Sequence, residues 1–476
     1  MAEFLWYDLE TFGRDPRRSR IAQFAAIRTD ENLEPIGRPL NWFCQPANDL
    51  LPSPIACLIT GITPQQALAE GVTEAEFAAR IHDELNRPGT CVAGYNSLRF
   101  DDEFIRNLFY RNFFDPYERE WRNGNSRWDL IDPIRMACAL RPDGINWPTR
   151  EDGAPSFRLE DLAAANQLHH SRAHDALSDV EATIALARQL KTAQPKLFDY
   201  TFALRDKKRA AALLDYVNMT PVLHISRRYP ATQGCGALVL PLCPHPTIGN
   251  QVIVCDLADD PSDLIELQAD DILDRLYTAR ADLPEGVARI GLKQIHLNRV
   301  PILIELDTLE KLGKQDVFDI DLPRQLEHAQ RLRQAPGLVD KVRDIFGRPR
   351  DDGPVDPELA IYQGFADAHD TRLFARVRSQ DIAPDGVFGF RDPRYEALAF
   401  RYRARNFPDT LSSTEHARWQ QYRGERLAAG TELSEYDLAT YHAEIQQRRS
   451  DATLDPDAQR ILDALEDWGR QIERSL

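Results

Sequence analysis

Three places along this 476-residue chain hold side chains able to share a metal ion. Asp8-Leu9-Glu10 closes an apolar run, Phe4-Leu5-Trp6-Tyr7, that reads as a buried strand. Side chains alternate along a strand, so Asp8 and Glu10 point to one face. Two carboxylates buried side by side are costly unless a cation compensates them, and a divalent ion is the natural compensation. Asp101 follows a second buried strand, Cys91-Val92-Ala93-Gly94-Tyr95, and opens a helix. A carboxylate there is also tolerated as a simple cap, through the helix dipole. His174-Asp175-Ala176-Leu177-Ser178-Asp179 begins a later helix, with Asp179 on its buried border and His174 just ahead of it. Taken alone, His174 reads as a surface histidine of the polar run His169-His170-Ser171-Arg172. Taken together, the set favours Mg²⁺ or Mn²⁺ over zinc, because its donors are hard oxygens. It suits a two-metal site with ions roughly 3.5–4 Å apart. His174 is then placed to take a proton from an attacking water, and the reaction implied is phosphodiester hydrolysis.

These residues need a scaffold. Residues 1–195 read as α/β. Strands are expected at 21–27 and 41–44, and helices over 74–85, 101–113, from 159, and through 177–187. Antiparallel strands followed by strand–helix units predict a mixed sheet covered by helices. Residues 196–347 read as β-rich, with strand-like stretches at 222–226, 237–242 and 252–257 punctuated by Pro and Gly. Residues 347–357 read as a linker. Residues 350–476 read as all-helical, with a capping box at Ser412 and Glu415 and a helix start at Asp455-Pro456.

A net charge of −17 argues against non-specific nucleic-acid binding, but not against a local basic groove. Three basic clusters could supply one or could be solvated faces: Arg14, Arg17, Arg18 and Arg20; Lys207, Lys208 and Arg209; Arg401, Arg403 and Arg405. The seven cysteines are scattered without a CxxC pair, which predicts buried thiols rather than a disulfide framework. Cys243-Pro244-His245 lacks the second half a zinc site needs. No run is apolar enough to span a bilayer and no signal-like start is present, so no membrane contact and a cytoplasmic location are expected.

Asp8, Glu10, Asp101, His174 and Asp179 together resemble the DEDDh group of 3′→5′ exonucleases. Further stretches resemble bacterial exonuclease I: Asp8-Leu9-Glu10-Thr11-Phe12-Gly13, Gln23-Phe24-Ala25-Ala26-Ile27, Tyr110-Arg111-Asn112-Phe113, Ser126-Arg127-Trp128-Asp129-Leu130, Pro155-Ser156-Phe157-Arg158-Leu159-Glu160 and Tyr402-Arg403-Ala404-Arg405-Asn406-Phe407-Pro408. The resemblance covers nearly the whole chain, and is loosest at 226–250 and 410–476. It implies an RNase H-like exonuclease domain over 1–195, an SH3-like β domain over 196–347 and an all-α domain over 350–476. It implies processive degradation of single-stranded DNA from the 3′ end to 5′-mononucleotides, in DNA repair and recombination. In that scheme Asp8, Glu10 and Asp179 bind two Mg²⁺ ions, Mn²⁺ being a possible substitute, and Asp101 completes the acidic set. His174 is the general base, Glu10 also faces the terminal nucleotide, and Arg158 touches substrate. A monomer is implied, with the acidic, Phe-ended tail of single-stranded DNA-binding protein as partner.

A processive enzyme on one strand needs stacking platforms and a cationic track. Tyr117 and Trp121, with Arg106 on the preceding helix, could grip bases and phosphate, although Trp121 reads equally as core. Arg135 and Lys207 are further phosphate candidates. The catalytic set does not by itself separate DNA from RNA, so a DEDDh exoribonuclease or a proofreading exonuclease is the nearest alternative. A non-catalytic nucleic-acid binder and a structural metal protein are alternatives of a different class, and metal-dependent turnover separates both from an enzyme.

Overall fold

A computed structural model describes residues 3–168, 175–279, 282–349, 353, 355–381, 387–450 and 455–476. The chain forms two compact units. The first joins residues 1–126, 169–184 and 352–476; the second joins 127–168 and 185–351.

In the first unit β1 (Glu3–Thr11), β2 (Ile21–Thr29), β3 (Leu40–Phe43) and β4 (Thr90–Gly94) run in the order β3-β2-β1-β4. β1 pairs antiparallel with β2, setting Asp8 opposite Ala25 and Glu10 opposite Gln23, and parallel with β4, setting Trp6 opposite Ala93. The strand bearing the two acids therefore lies between two others. Its alternation sends Leu5, Tyr7 and Leu9 into a core with Phe77, Ile81 and Leu85 of the helix Glu74–Leu85. Phe104, Ile105, Leu108 and Phe109 of the helix Asp101–Arg111 fill the same core.

The last third of the chain builds onto this unit. Trp468, Leu465 and Ile461 of the helix Pro456–Arg474 pack with Phe12, Ala22, Leu50 and Leu51. The predicted capping box at Ser412 and Glu415 is present, as is the Asp455 cap with Pro456 at the first helical position. The expected linker ends on a surprise: the turn Pro357–Leu359 holds Glu358, which is 1% exposed. Glu358 pairs with Arg20 at 2.9 Å, Arg405 at 2.6 Å and Arg426 at 3.4 Å, while Asp49 pairs with Arg405 at 2.7 Å. Arg401 reaches Asp356 at 2.6 Å, and Arg403 reaches Glu415 at 2.7 Å. The 401–405 cluster, expected as a groove or a solvated face, is an internal ion network, because each guanidinium has a carboxylate within the fold.

β5 (Ser126–Asp129) carries the chain into the second unit. There β6 (Val222–Ile225), β7 (Gly236–Pro244), β8 (Gln251–Asp256), β9 (Leu292–His296) and β10 (Ile302–Glu305) form a sheet in the order β10-β6-β7-β8-β9. All of its pairings are antiparallel. The three strand stretches predicted here are β6, β7 and β8. β9, β10 and the helices Ala269–Tyr277, Leu306–Leu312, Leu322–Gln334 and Leu338–Gly347 have no counterpart in that expectation. All seven cysteines are thiols, six of them buried. Among the described residues no helix is long and apolar enough to cross a membrane.

Candidate active site

β1 delivers Asp8 and Glu10 to one face because the odd-numbered residues between them are committed to the core. Asp101 reaches them through β4. That strand ends at Gly94, where an added Cβ would stand 2.7 Å from the Ser97 side chain and 3.0 Å from the Tyr7 carbonyl, so only glycine permits the close approach. A single helical turn at Ser97–Arg99 follows, and Asp101 begins the next helix, buried. Its neighbour Asp102 serves the scaffold. The Tyr7 hydroxyl and the Arg119 guanidinium each donate to Asp102 Oδ1 at 2.7 Å, which locks the strand to the helix start. Asp179 comes from the first turn of the helix Ala176–Ala193.

Carboxylate oxygens of Asp8, Glu10 and Asp179 lie within 4.8 Å of one another. Burial pushes the Asp8 carboxyl well above its ordinary range, and the charges of Asp101, Glu10 and Asp179 push it further. Burial likewise raises Glu10, to about 9, with Asp179, Asp101 and Asp175 adding to it. The charged neighbours that shift these two acids most are all carboxylates. Converging hard oxygens whose ionised forms are unstable without a cation fit a divalent metal ion, with Asp8, Glu10 and Asp179 as its holders.

The other expected site residues divide. His174 lies outside the described residues. Arg106 is buried, its guanidinium paired with Glu120 at 2.8 Å and Glu103 at 2.9 Å and set over the Tyr117 ring. Arg135 is buried against Asp132 at 2.5 Å and over Phe157. Both guanidiniums are therefore engaged by carboxylates within the fold. Trp121 is 63% exposed, which removes its reading as core. Tyr117 is half-buried. In the second unit Arg158 sits exposed beside Glu160, and Lys207 is the exposed first residue of the helix Lys207–Ala212.

Two features escape the sequence reading. Asp175 acts on Glu10 electrostatically; its position four residues before Asp179 is the signal that could have found it. Phe365 and Tyr362 are exposed aromatics, Phe365 edge-on to Tyr117 at 5.5 Å and Tyr362 bonded through its hydroxyl to Glu103. Nothing in the local sequence separates them from core aromatics.

A central strand bearing Asp-x-Glu, joined by acids from two helix starts, defines an exonuclease, and the "Exonuclease" family model matches residues 5–187. The "Exonuclease I SH3-like domain" model matches residues 205–348 and the "Exonuclease I C-terminal domain" model residues 355–472. The chain belongs to the exonuclease I family. It is 47% identical to exodeoxyribonuclease I of Escherichia coli (strain K12) over 426 residues, 88% of this chain and 89% of that protein. It is similar to the solved structure of a moderately thermophilic exonuclease I from Methylocaldum szegediense, at 47% identity and a TM-score of 0.93, covering 99% of this chain and 100% of that one. It is equally similar in fold to the zinc-bound form of the E. coli exonuclease I–single-stranded DNA complex, at 44% identity and a TM-score of 0.93, with the same coverage.

Proposed function

We propose that this chain degrades single-stranded DNA processively from its 3′ end, releasing 5′-mononucleotides, in DNA repair and recombination. The observation that carries the reading is the buried convergence of Asp8, Glu10 and Asp179, with Asp101 acting on the first two. Kinship with an exonuclease I solved on single-stranded DNA supports the substrate. Asp8, Glu10 and Asp179 hold two divalent ions, Mg²⁺ in preference and Mn²⁺ as substitute, with Asp101 completing the acidic set. Bound there, the ions supply positive charge against the scissile phosphate and acidify water. His174 receives the proton of the attacking water, and Glu10 also borders the terminal nucleotide. Arg158, Tyr117, Trp121 and Lys207 serve as substrate contacts. The protein acts as a cytoplasmic monomer and takes the acidic, Phe-ended tail of single-stranded DNA-binding protein as partner.

The test is incubation with end-labelled single-stranded DNA, the same sequence as RNA, and a blunt duplex, with Mg²⁺ or EDTA. An Asp179→Ala control runs alongside. Mg²⁺-dependent release of mononucleotides from the DNA 3′ end, lost in the variant, is the expected result. Preferential attack on RNA would move the chain to an RNA-trimming or proofreading branch, and no cleavage of any strand would leave a binder.

Lys207→Glu is expected to shorten processive runs more than it slows a single cleavage, because a track charge acts on translocation rather than on bond breaking. Product-length distributions under a heparin trap, set beside single-turnover rates, read the difference. Equal loss of both would remove Lys207 from the track.

A further inference from the structure

The chain leaves β1 after Thr11, just past the irregularity at Glu10/Thr11, and returns as β2 at Ile21, so a nine-residue connection begins two residues after Glu10. Its own turn holds part of it, with the Arg18 and Ser19 N–H groups donating to the Asp15 carbonyl at 3.1 and 2.7 Å. It is also tied down from distant parts of the first unit. Ser53 N–H donates to the Phe12 carbonyl at 2.7 Å. Arg111, on the helix that Asp101 opens, donates to the Pro16 carbonyl at 3.4 Å, and Arg426 donates to the Arg18 carbonyl at 3.0 Å. Glu435 accepts from Asp15 N–H at 2.5 Å, and Arg18 Nε donates to the Glu432 carbonyl at 2.5 Å. Gly13 makes the Glu435 contact possible: an added Cβ would stand 2.5 and 2.7 Å from its two carboxylate oxygens.

The loop's four arginines differ in what holds them. Arg17 and Arg18 pair with Asp15, and Arg20 is buried against Glu74 and Glu358. Arg14 is exposed; its N–H donates to Glu435 and its charge acts on the Glu435 carboxylate, and among the described residues its guanidinium makes no closer hydrogen bond or ion pair. It stands four residues after Glu10 in sequence, on the connection that leaves the strand bearing Asp8 and Glu10, whose carboxylates when ionised repel a phosphodiester strand. A cation on a rigid mount at that point answers the repulsion.

Resting on the single-stranded DNA reading above, we propose that Arg14 contacts a backbone phosphate of the bound strand and that Glu435 is the positioning residue holding the Arg14 loop in register with Glu10. Glu435 acts through the backbone it fixes and touches no substrate.

The experiment uses the full-length protein and a fluorescein-labelled oligo(dT), reading anisotropy in EDTA and steady-state turnover in Mg²⁺. Arg14→Ala is expected to weaken binding and raise KM by about tenfold while leaving kcat within about twofold, and to flatten the salt slope of log K by about 0.7, the share of one single-strand phosphate contact. Arg14→Lys should restore most of the affinity. Glu435→Ala should reproduce the Arg14→Ala loss, and the two should not add when combined, because both remove one contact. Glu435→Gln keeps an oxygen for one of the two N–H groups that Glu435 accepts from, those of Arg14 and Asp15, and should restore part of the affinity lost in Glu435→Ala, which separates positioning from folding if Glu435→Ala lowers stability. Unchanged affinity and salt slope in Arg14→Ala would overturn the proposal, as would additive losses in the double variant. Strand binding by wild type without turnover would instead fail the functional reading and leave the Arg14 measurement valid. Absence of strand binding by wild type would overturn both.

Discussion

Asp8→Asn is expected to lower kcat by about 10³-fold or more, the scale on which one electrostatic stabiliser of a transition state acts, and at the same time to stabilise the metal-free protein. The two effects share a cause. In the folded state burial raises the Asp8 carboxyl, and Asp101, Glu10 and Asp179 raise it further. An uncharged amide of similar shape relieves that repulsion and cannot replace the carboxylate as a metal holder. The sign of the pH dependence follows from Glu10. Its carboxyl lies at about 9 in the fold against an ordinary value of 4.5. Between those limits the folded protein keeps a proton that the unfolded chain releases, so stability without metal falls as pH rises through that window. Divalent metal binding requires the ionised carboxylates, so the gain from Mg²⁺ should grow over the same range. Thermal unfolding at about pH 6 and about pH 9, in EDTA and in Mg²⁺, reads all of this beside single-turnover rates. Wild type should lose melting temperature with pH in EDTA and recover it in Mg²⁺; Asp8→Asn should keep the part of the EDTA response that Glu10 carries and lose much of the recovery in Mg²⁺. A pH-independent wild-type profile in EDTA, or near-normal turnover by the variant, would show that the acids do not act as a repelling set awaiting cations.

The second large effect lies away from the chemistry. Glu358→Ala should destabilise the protein by about 3–5 kcal/mol, the loss typical when one partner of a buried ion network is removed. Burial pushes the Glu358 carboxyl up, but Arg405, Arg20, Arg426 and Arg401 outweigh it and hold it well below its ordinary range. Asp49 behaves alike: burial raises it, Arg405 and Arg426 overcome that, and its carboxyl falls to about 2. Removing Glu358 leaves Arg20 and Arg426 inside the fold with too little negative charge. Denaturant titration monitored by Trp fluorescence measures the loss, and a change under about 1 kcal/mol would mean that water reaches the arginines. The same residues set the acid limit. Carboxyls held below their ordinary range give stability that is complete above that range and is lost as pH falls through their folded values, so acid unfolding of the first unit should centre between about pH 4 and about pH 2.

The acids that act on one another in the structure were legible because each obeys a local rule. Asp8 and Glu10 follow from strand alternation after an apolar run, Asp101 from a buried strand turning into a helix, and Asp179 from its place on a helix border. The arginines were not legible for the opposite reason. Arg401, Arg403 and Arg405 look alike along the chain, and what buries them is Asp49, Glu358, Asp356 and Glu415, of which Asp49 lies some 350 residues away. A guanidinium on a surface and one in an ion network have the same local sequence, and only tertiary contact separates them. The burial of Arg106 and Arg135 was hidden in the same way, while exposed Trp121 and Phe365 show the converse, aromatics that local pattern would equally place inside. The grouping of residues 352–476 with residues 1–126 was hidden likewise, because no periodicity records which distant segment a helix will cover.

That grouping bears on how the protein is made. A ribosome releases β1 well before the helix Pro456–Arg474, yet Phe12 of the β1–β2 loop and Trp468 belong to one core. Until residues 358–426 emerge, Arg20, Asp49 and Glu74 wait without Glu358, Arg405 and Arg426. The first unit therefore matures only once that helix has been made, and a nascent chain already carrying Asp8, Glu10, Asp101 and Asp179 is still unfinished around its acidic strand.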